Sequence, residues 1–437
     1  MTTRTTSFAV SAEPSRAGRT RAIAAVCLGN ALEFYDFLVY SLLATLMARL
    51  FFPFGENPLT SLLLSFAVFG TGFVMRPLGG LVIGLYADRV GRKAAMRLTL
   101  WLMALGALLF TVAPTYAQAG LFGPLVVILA RLLQGFAVGG QVGTATTILM
   151  EYAGAGSRAF YCSWQVFSQS LGVLMGALVV LALSNLLSAE AMDAWGWRAV
   201  FAVGILAIPI SEYIRHRLEE TLPAQAQGDR QPAPASQGLA LLCRHPRQLV
   251  TGVLLVTGVS VPVYITQFYL ANHAIGVLGM PLGVATWAAV VSCLPSLLLA
   301  PHAGRLSDRI GRRRSIFWPL PILLLAIYPA FLLLNHSPSL ATLLLIVGLL
   351  NIPLTYCMVA SLAILPELFP AAIRATGLSV TYCVGVALFG GFAQFFAAGL
   401  IGLTGSPNAP AWYMVGAILL CLAGLRMAPE TAGRTLD

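Results

Sequence analysis

Twelve stretches of this chain are each about 20 residues or longer and almost wholly apolar, the length a helix needs to cross the hydrocarbon of a bilayer. They run approximately over 22–50, 60–87, 94–114, 121–149, 158–185 and 197–216, then 247–275, 282–303, 315–335, 338–365, 373–402 and 410–427. The one long polar stretch, 217–246, contains GDRQPAPASQG and reads as a flexible linker. Six spans, a linker and six spans describe an all-α membrane protein of two six-helix bundles. The divisions are a tail over 1–21, a bundle over 22–216, the linker, a bundle over 247–427 and a tail over 428–437.

Charge supports this reading. Only 10% of residues are charged and the mean hydropathy is +0.84, whereas soluble domains carry about 25% charged residues. A soluble enzyme, a disordered tail and a collagen-like fibre are excluded. The net charge of +10 is not a nucleic-acid footprint, because its residues are dispersed between apolar runs and Lys93 is the only lysine. If both termini are cytoplasmic, every basic residue except Arg49, Arg76, Arg131 and Arg198 falls on the cytoplasmic side, where such residues orient spans and meet anionic lipid. A multi-pass protein of the plasma membrane, a bacterial inner membrane, is expected. The first run is too long for a signal-peptide core and holds two acids, so it reads as an uncleaved span. The seven cysteines lie far apart without metal-ligand spacing.

A loop motif occurs twice. Gly84-Leu-Tyr-Ala-Asp88-Arg89-Val-Gly91-Arg92-Lys93 follows the second span, and Gly304-Arg-Leu-Ser-Asp308-Arg309-Ile-Gly311-Arg312-Arg313 follows the eighth, displaced by 220 positions. Glu151 precedes Arg158 as Glu367 precedes Arg374, by seven residues each time. The halves are therefore parallel repeats, pseudo-symmetric about a central cavity. The glycines permit close backbone approach, and each aspartate, beside several cations, is suited to face the positive end of a neighbouring helix. This doubled motif resembles the signature of the major facilitator superfamily. The resemblance implies that Gly84, Asp88, Arg89, Gly91, Arg92, Glu151, Arg158, Gly304, Asp308, Arg309, Gly311, Arg312, Glu367 and Arg374 form a conformational latch closing the cytoplasmic side.

Four ionisable residues lie at membrane depth: Glu33, Asp36, Arg76 and Arg131. Each costs about 2.5–3.5 kcal/mol or more at a helix centre, so pairing or a water-filled cavity is needed. At 1.5 Å per residue, Glu33 is about 18 Å from Arg21 and Arg131 about 15 Å from Leu121, near the midplane. Glu33 and Asp36, at i and i+3, share a helix face, and the four groups are expected to meet one cavity. A guanidinium grips a carboxylate bidentately and keeps its charge, so Arg76 and Arg131 are candidates to hold an anionic substrate. A carboxylate partly withdrawn from water, near an arginine, is poised between its two protonation states. Glu33, then Asp36, are the candidates for proton coupling. The rival reading makes Glu33–Arg131 or Asp36–Arg76 static struts.

Gly29-Asn30-Ala-Leu-Glu33-Phe-Tyr35-Asp36-Phe37, Gly72-Phe-Val-Met-Arg76-Pro77-Leu-Gly79-Gly80, Arg131-Leu-Leu-Gln134-Gly135 and Trp195-Gly196-Trp197-Arg198 resemble the metabolite:proton symporter family. Phe160-Tyr-Cys-Ser-Trp164-Gln165 and Leu388-Phe389-Gly390-Gly391 are most similar to its citrate and tricarballylate symporters. The resemblance adds Asn30, Tyr35 and Gln134 to the substrate candidates. It implies import of a di- or tricarboxylate such as citrate or tricarballylate, with protons as coupling ion and no other cofactor. Shikimate, alpha-ketoglutarate or a betaine- or proline-type osmolyte are alternatives, and an exporter of the same superfamily is a further one. Gln165, Gln169, Tyr264 and Gln267 are polar groups that hydrocarbon would penalise, so they are expected to face the interior as substrate contacts. A non-transporting receptor lacks room for signalling domains. An enzyme lacks a catalytic set at a common depth. Neither a nucleic acid nor an obligate protein partner is expected.

Overall fold

The computed structural model describes residues 16–53, 58–90, 92–151, 153–154, 156–217, 244–370 and 374–433. Among them, eleven helices are long and apolar enough to cross a membrane, and a bent pair, Val26–Leu42 with Ala44–Phe51, supplies a twelfth span. The others are Pro58–Ile83, Lys93–Val112, Phe122–Gly139, Arg158–Leu186, Ala189–Tyr213, Pro246–Gly276, Leu282–Ile310, Arg312–His336, Leu340–Glu367, Gly377–Thr404 and Ala409–Met427. Apolar side chains point outward as well as inward. Leu298, Leu325 and Leu403 are each at least 76% exposed, which is tolerable against lipid and not against water. The chain is a multi-pass membrane protein.

In the first half the first span packs on the fifth, and the second and third on the fourth. In the second half the seventh packs on the twelfth and eleventh, and the eighth on the tenth. The halves meet where the fifth span lies along the eighth and the second along the eleventh. Residues 218–243, at the centre of the expected linker, and residues 1–15 and 434–437 of the tails lie outside the described residues. The sixth span starts at Ala189 rather than 197. Trp195-Gly196-Trp197-Arg198 is therefore inside the helix, across a π turn at Met192–Gly196. Glu190 and Asp193 lower the local hydropathy, and a sequence window places the boundary too late.

Several helices are irregular within their spans. The first span bends by 65° at Leu43. The second changes helix at Met75, just before Arg76 and Pro77. The seventh has a π turn at Ile265–Tyr269 following Pro262, and the eleventh one at Val386–Gly390. Irregular backbone within a span survives only where protein buries it or a cavity receives it.

Two glycines of the fourth span set the position of Arg76. A Cβ on Gly139 would overlap the Arg76 carbonyl, and one on Gly135 the Gly72 carbonyl, so the second and fourth spans touch backbone to backbone. Because neither carbonyl can yield as a side chain would, Gly135→Leu is expected to destabilise the protein by at least about 1–3 kcal/mol. The melting temperature of the purified chain reads the loss.

Candidate functional site

Glu33, Asp36, Arg76 and Arg131 are all at most 3% exposed, yet they do not share one wall. Glu33 Oε1 lies 3.7 Å from Arg76 Nη2. Arg76 stacks over Phe73 at 4.0 Å and Phe37 at 4.9 Å, within electrostatic reach of Tyr264 and Tyr382 from the other half. The Tyr264 ring meets Phe73 edge-on at 5.5 Å. This pair thus sits where the two bundles face each other. Its groups are poorly satisfied: neither Glu33 oxygen and none of the Arg76 nitrogens makes a hydrogen bond.

Asp36 and Arg131 lie behind, inside the first bundle. Gln134 joins them, accepting from Arg131 Nη1 at 3.0 Å and donating to Asp36 Oδ2 at 3.0 Å. Arg131 also donates to the Asp36 carbonyl at 3.4 Å. Its guanidinium is boxed by Tyr40 at 4.0 Å, Phe110 at 5.0 Å and Phe69 at 5.7 Å. Asp36 Oδ1 is close enough to Gly204 of the sixth span to exclude a side chain there. The expected single cluster is corrected to two layers, paired as Glu33–Arg76 and Asp36–Gln134–Arg131. Three residues turn a helix about 60° from where it began, enough for Glu33 to look across the interface and Asp36 to look inward.

The polar candidates divide in the same way. Tyr35, about 200° from Glu33 around the helix, donates to the Val200 carbonyl at 2.6 Å and does not reach the interface. Asn30 ties the first span to the fifth through the Gln165 carbonyl at 2.9 Å and Ser168 Oγ at 2.8 Å. Gln165 Oε1 accepts from Thr146, while Gln165 Nε2, Gln169 Oε1 and the Tyr264 hydroxyl have no hydrogen-bond partner. Gln267 donates to Asn351 Oδ1 at 3.4 Å. Beside Tyr264, an apolar cleft lies between Phe34 of the first half and Val259, Met358, Ser361, Leu362 and Tyr382 of the second. Of these residues the sequence offers only Tyr264 as a substrate contact, since an apolar wall has no motif.

The two halves are bonded to each other on both faces. On the face carrying the termini, Asp308 accepts from the Ala159 and Phe160 N–H groups at 3.0 Å each, at the N-terminal end of the fifth span. Gly304 lets that end approach: a Cβ would lie 2.7 Å from the Ala159 carbonyl. Arg312 bonds Asp308 at 2.8 Å and Glu367 at 3.2 Å, and Arg158 reaches Glu367 at 3.6 Å. Arg374 donates to the Pro366 carbonyl, and Arg309 is exposed. Gly84, Asp88, Arg89, Gly91, Arg92 and Glu151, which carry the first motif and its partner, lie outside the described residues and side chains.

Glu430, an acid just past the last span that sequence reasoning missed, completes this cluster. It accepts from the Arg312 and Arg313 N–H groups at 2.8 and 3.1 Å, beside Gly311 at φ +100°. Burial pushes its carboxyl up, but bonds from the Ala432, Arg312, Arg313 and Thr431 N–H groups outweigh that and hold it below the usual carboxylate range. The cap is therefore in place at neutral pH and is lost as pH falls through that lowered value.

On the opposite face Ser41 Oγ donates to the Phe268 carbonyl at 2.8 Å, and Asn272 donates to the Ser41 carbonyl at 2.8 Å, next to the bend in the first span. Because the fifth-span contact crosses between halves, Asp308→Asn is expected to open the face carrying the termini. Cysteine-reactive labels introduced into that vestibule should react several times faster than in the parent.

The family model described as "Sugar (and other) transporter" matches residues 22–221 and 217–437. The citrate-proton symporter of Salmonella typhi is 34% identical over 94% of this chain and 94% of its own length. The alpha-ketoglutarate permease of Escherichia coli (strain K12) is 33% identical over 96% of each. A solved structure of a major facilitator superfamily proton:xylose symporter superposes with a TM-score of 0.77, at 18% identity over 96% of this chain and 98% of that one. These relatives are transporters and not enzymes.

Proposed function

The chain belongs to the sugar (and other) transporter family of the major facilitator superfamily, in the branch of the citrate-proton symporters, and we propose that it imports a small organic acid together with protons by alternating access. The observation that carries this reading is Arg76, a fully buried guanidinium in the inter-bundle wall with no hydrogen bond from any of its nitrogens. A buried polar group is expensive to leave unpaired, and a bidentate carboxylate is the ligand that satisfies this fork. When the anion binds Arg76, Glu33 loses its counter-charge, and taking a proton restores neutrality. The loaded site is then free of net charge, which favours rocking of one half against the other. Asp36, Gln134 and Arg131 form a second layer that fixes the first span and serves as a reserve for the proton.

Asp308, Arg312, Glu367 and Arg158 act as the latch on the cytoplasmic side, the face that carries both termini in the orientation set by the arginines. Citrate, tricarballylate and alpha-ketoglutarate are the first substrates to try, on the strength of the relatives. The test is uptake into proteoliposomes across an imposed pH gradient, with betaine and shikimate in the same panel. Accumulation of an organic acid only when the outside is acidic is the expected result. Uptake indifferent to the gradient would remove proton coupling, and uptake of betaine alone would remove the anionic substrate.

A further inference from the structure

Resting on that reading, the geometry points to a narrower substrate class: an acid that binds as a monoanion, with one ionised carboxylate on Arg76 and an apolar body against the wall beside Tyr264. Two independent observations meet here. The first is charge. The ionisable residues at this depth are Glu33, Asp36, Arg76 and Arg131, and Asp36 and Arg131 are bound through Gln134 within their own bundle. The substrate therefore meets one guanidinium and one carboxyl. With Glu33 protonated, a monoanion leaves the site neutral. A trianion would leave two uncompensated negative charges out of water, which a site of this burial strongly disfavours.

The second is surface. The space is walled by Phe34, Val259, Met358, Leu362 and the rings of Tyr264 and Tyr382. Two hydroxyls turn up in that wall without hydrogen-bond partners, those of Tyr264 and Ser361. An apolar wall with two lone hydroxyls receives a hydrocarbon or aromatic body carrying one or two polar substituents. It offers further carboxylates no cation.

The experiment is calorimetric titration of the purified full chain, near pH 6, with four probes: 3-phenylpropionate, propionate, citrate and tricarballylate. 3-Phenylpropionate is expected to bind at least tenfold more tightly than propionate, which has the same charge and no ring, and than either tricarboxylate. Leu362→Trp, which fills the space, should cost at least tenfold for 3-phenylpropionate and leave propionate unchanged. Met358→Ala, which enlarges the space, should keep the preference for the ring. If Leu362→Trp does not fold, the ranking of probes on the parent decides alone. Tighter binding of citrate or tricarballylate, lost in Arg76→Lys, would overturn the monoanion inference and leave the organic-acid reading standing. Binding of none of the acids would overturn both.

Discussion

Replacing Glu33 by Gln is expected to abolish pH-driven accumulation in proteoliposomes while leaving exchange of labelled for unlabelled substrate at a substantial fraction of the parent rate. Gln keeps the volume and hydrogen-bonding reach of Glu33 but holds no proton that can be gained or lost. The site would then resemble the loaded state permanently, so the two halves still rock with substrate bound. What disappears is the thermodynamic link between the proton gradient and the substrate gradient. Parent-level accumulation by the variant would reassign Glu33 to a structural strut, its 3.7 Å approach to Arg76 being then a static pairing.

That pairing is where sequence and structure part company. Counting residues from the span ends placed Glu33 and Arg131 near the midplane, and the helix periodicity put Glu33 and Asp36 on one broad face. Both statements are one-dimensional. Which arginine each acid meets depends on how the second and fourth spans are rotated, and that rotation is set by backbone contacts at Gly72, Gly135 and Gly139. A glycine stripe announces close packing without saying what it packs against. The alternatives Glu33–Arg131 and Asp36–Arg76 were therefore as consistent with spacing as the observed pairs.

The span pattern was legible because the bilayer imposes a length and a hydropathy on each helix, and 21 of the 24 span ends fall within about four residues of their expected positions. The bend at Leu43 was not legible, having no proline or glycine at the break; Asn272 of the other half bonds the neighbouring Ser41 carbonyl. Glu430 likewise sits past the last apolar run, and its role as a cap for Arg312 and Arg313 emerges only from tertiary structure. The apolar wall beside Tyr264 escapes any motif search, since its valines and leucines read as ordinary span residues.

Arg76→Lys is expected to weaken organic-acid binding by at least about thirtyfold, the low end of what removing a buried charge-assisted contact costs. Lysine retains the charge beside Glu33, so the fold should survive. It replaces a planar fork by a compact ammonium and cannot present two parallel N–H groups to a carboxylate. It also gives up stacking on Phe73 and Phe37. Titration of the parent and the variant with the same acid reads the effect, and an unchanged affinity would count against a bidentate grip. Arg131→Lys, by contrast, is expected to act mainly on stability, because Tyr40, Phe69 and Phe110 enclose that guanidinium within its own bundle.

Transport depends on a carboxylate of the substrate docking against Arg76 at the interface of the two halves. The direct measurement is an experimental structure of the full chain with its best-transported acid bound at acidic pH. The expected result is a carboxylate within hydrogen-bonding distance of two Arg76 nitrogens, with Glu33 displaced from its present partner. A ligand seated elsewhere, with the Glu33–Arg76 pair intact, would contradict it.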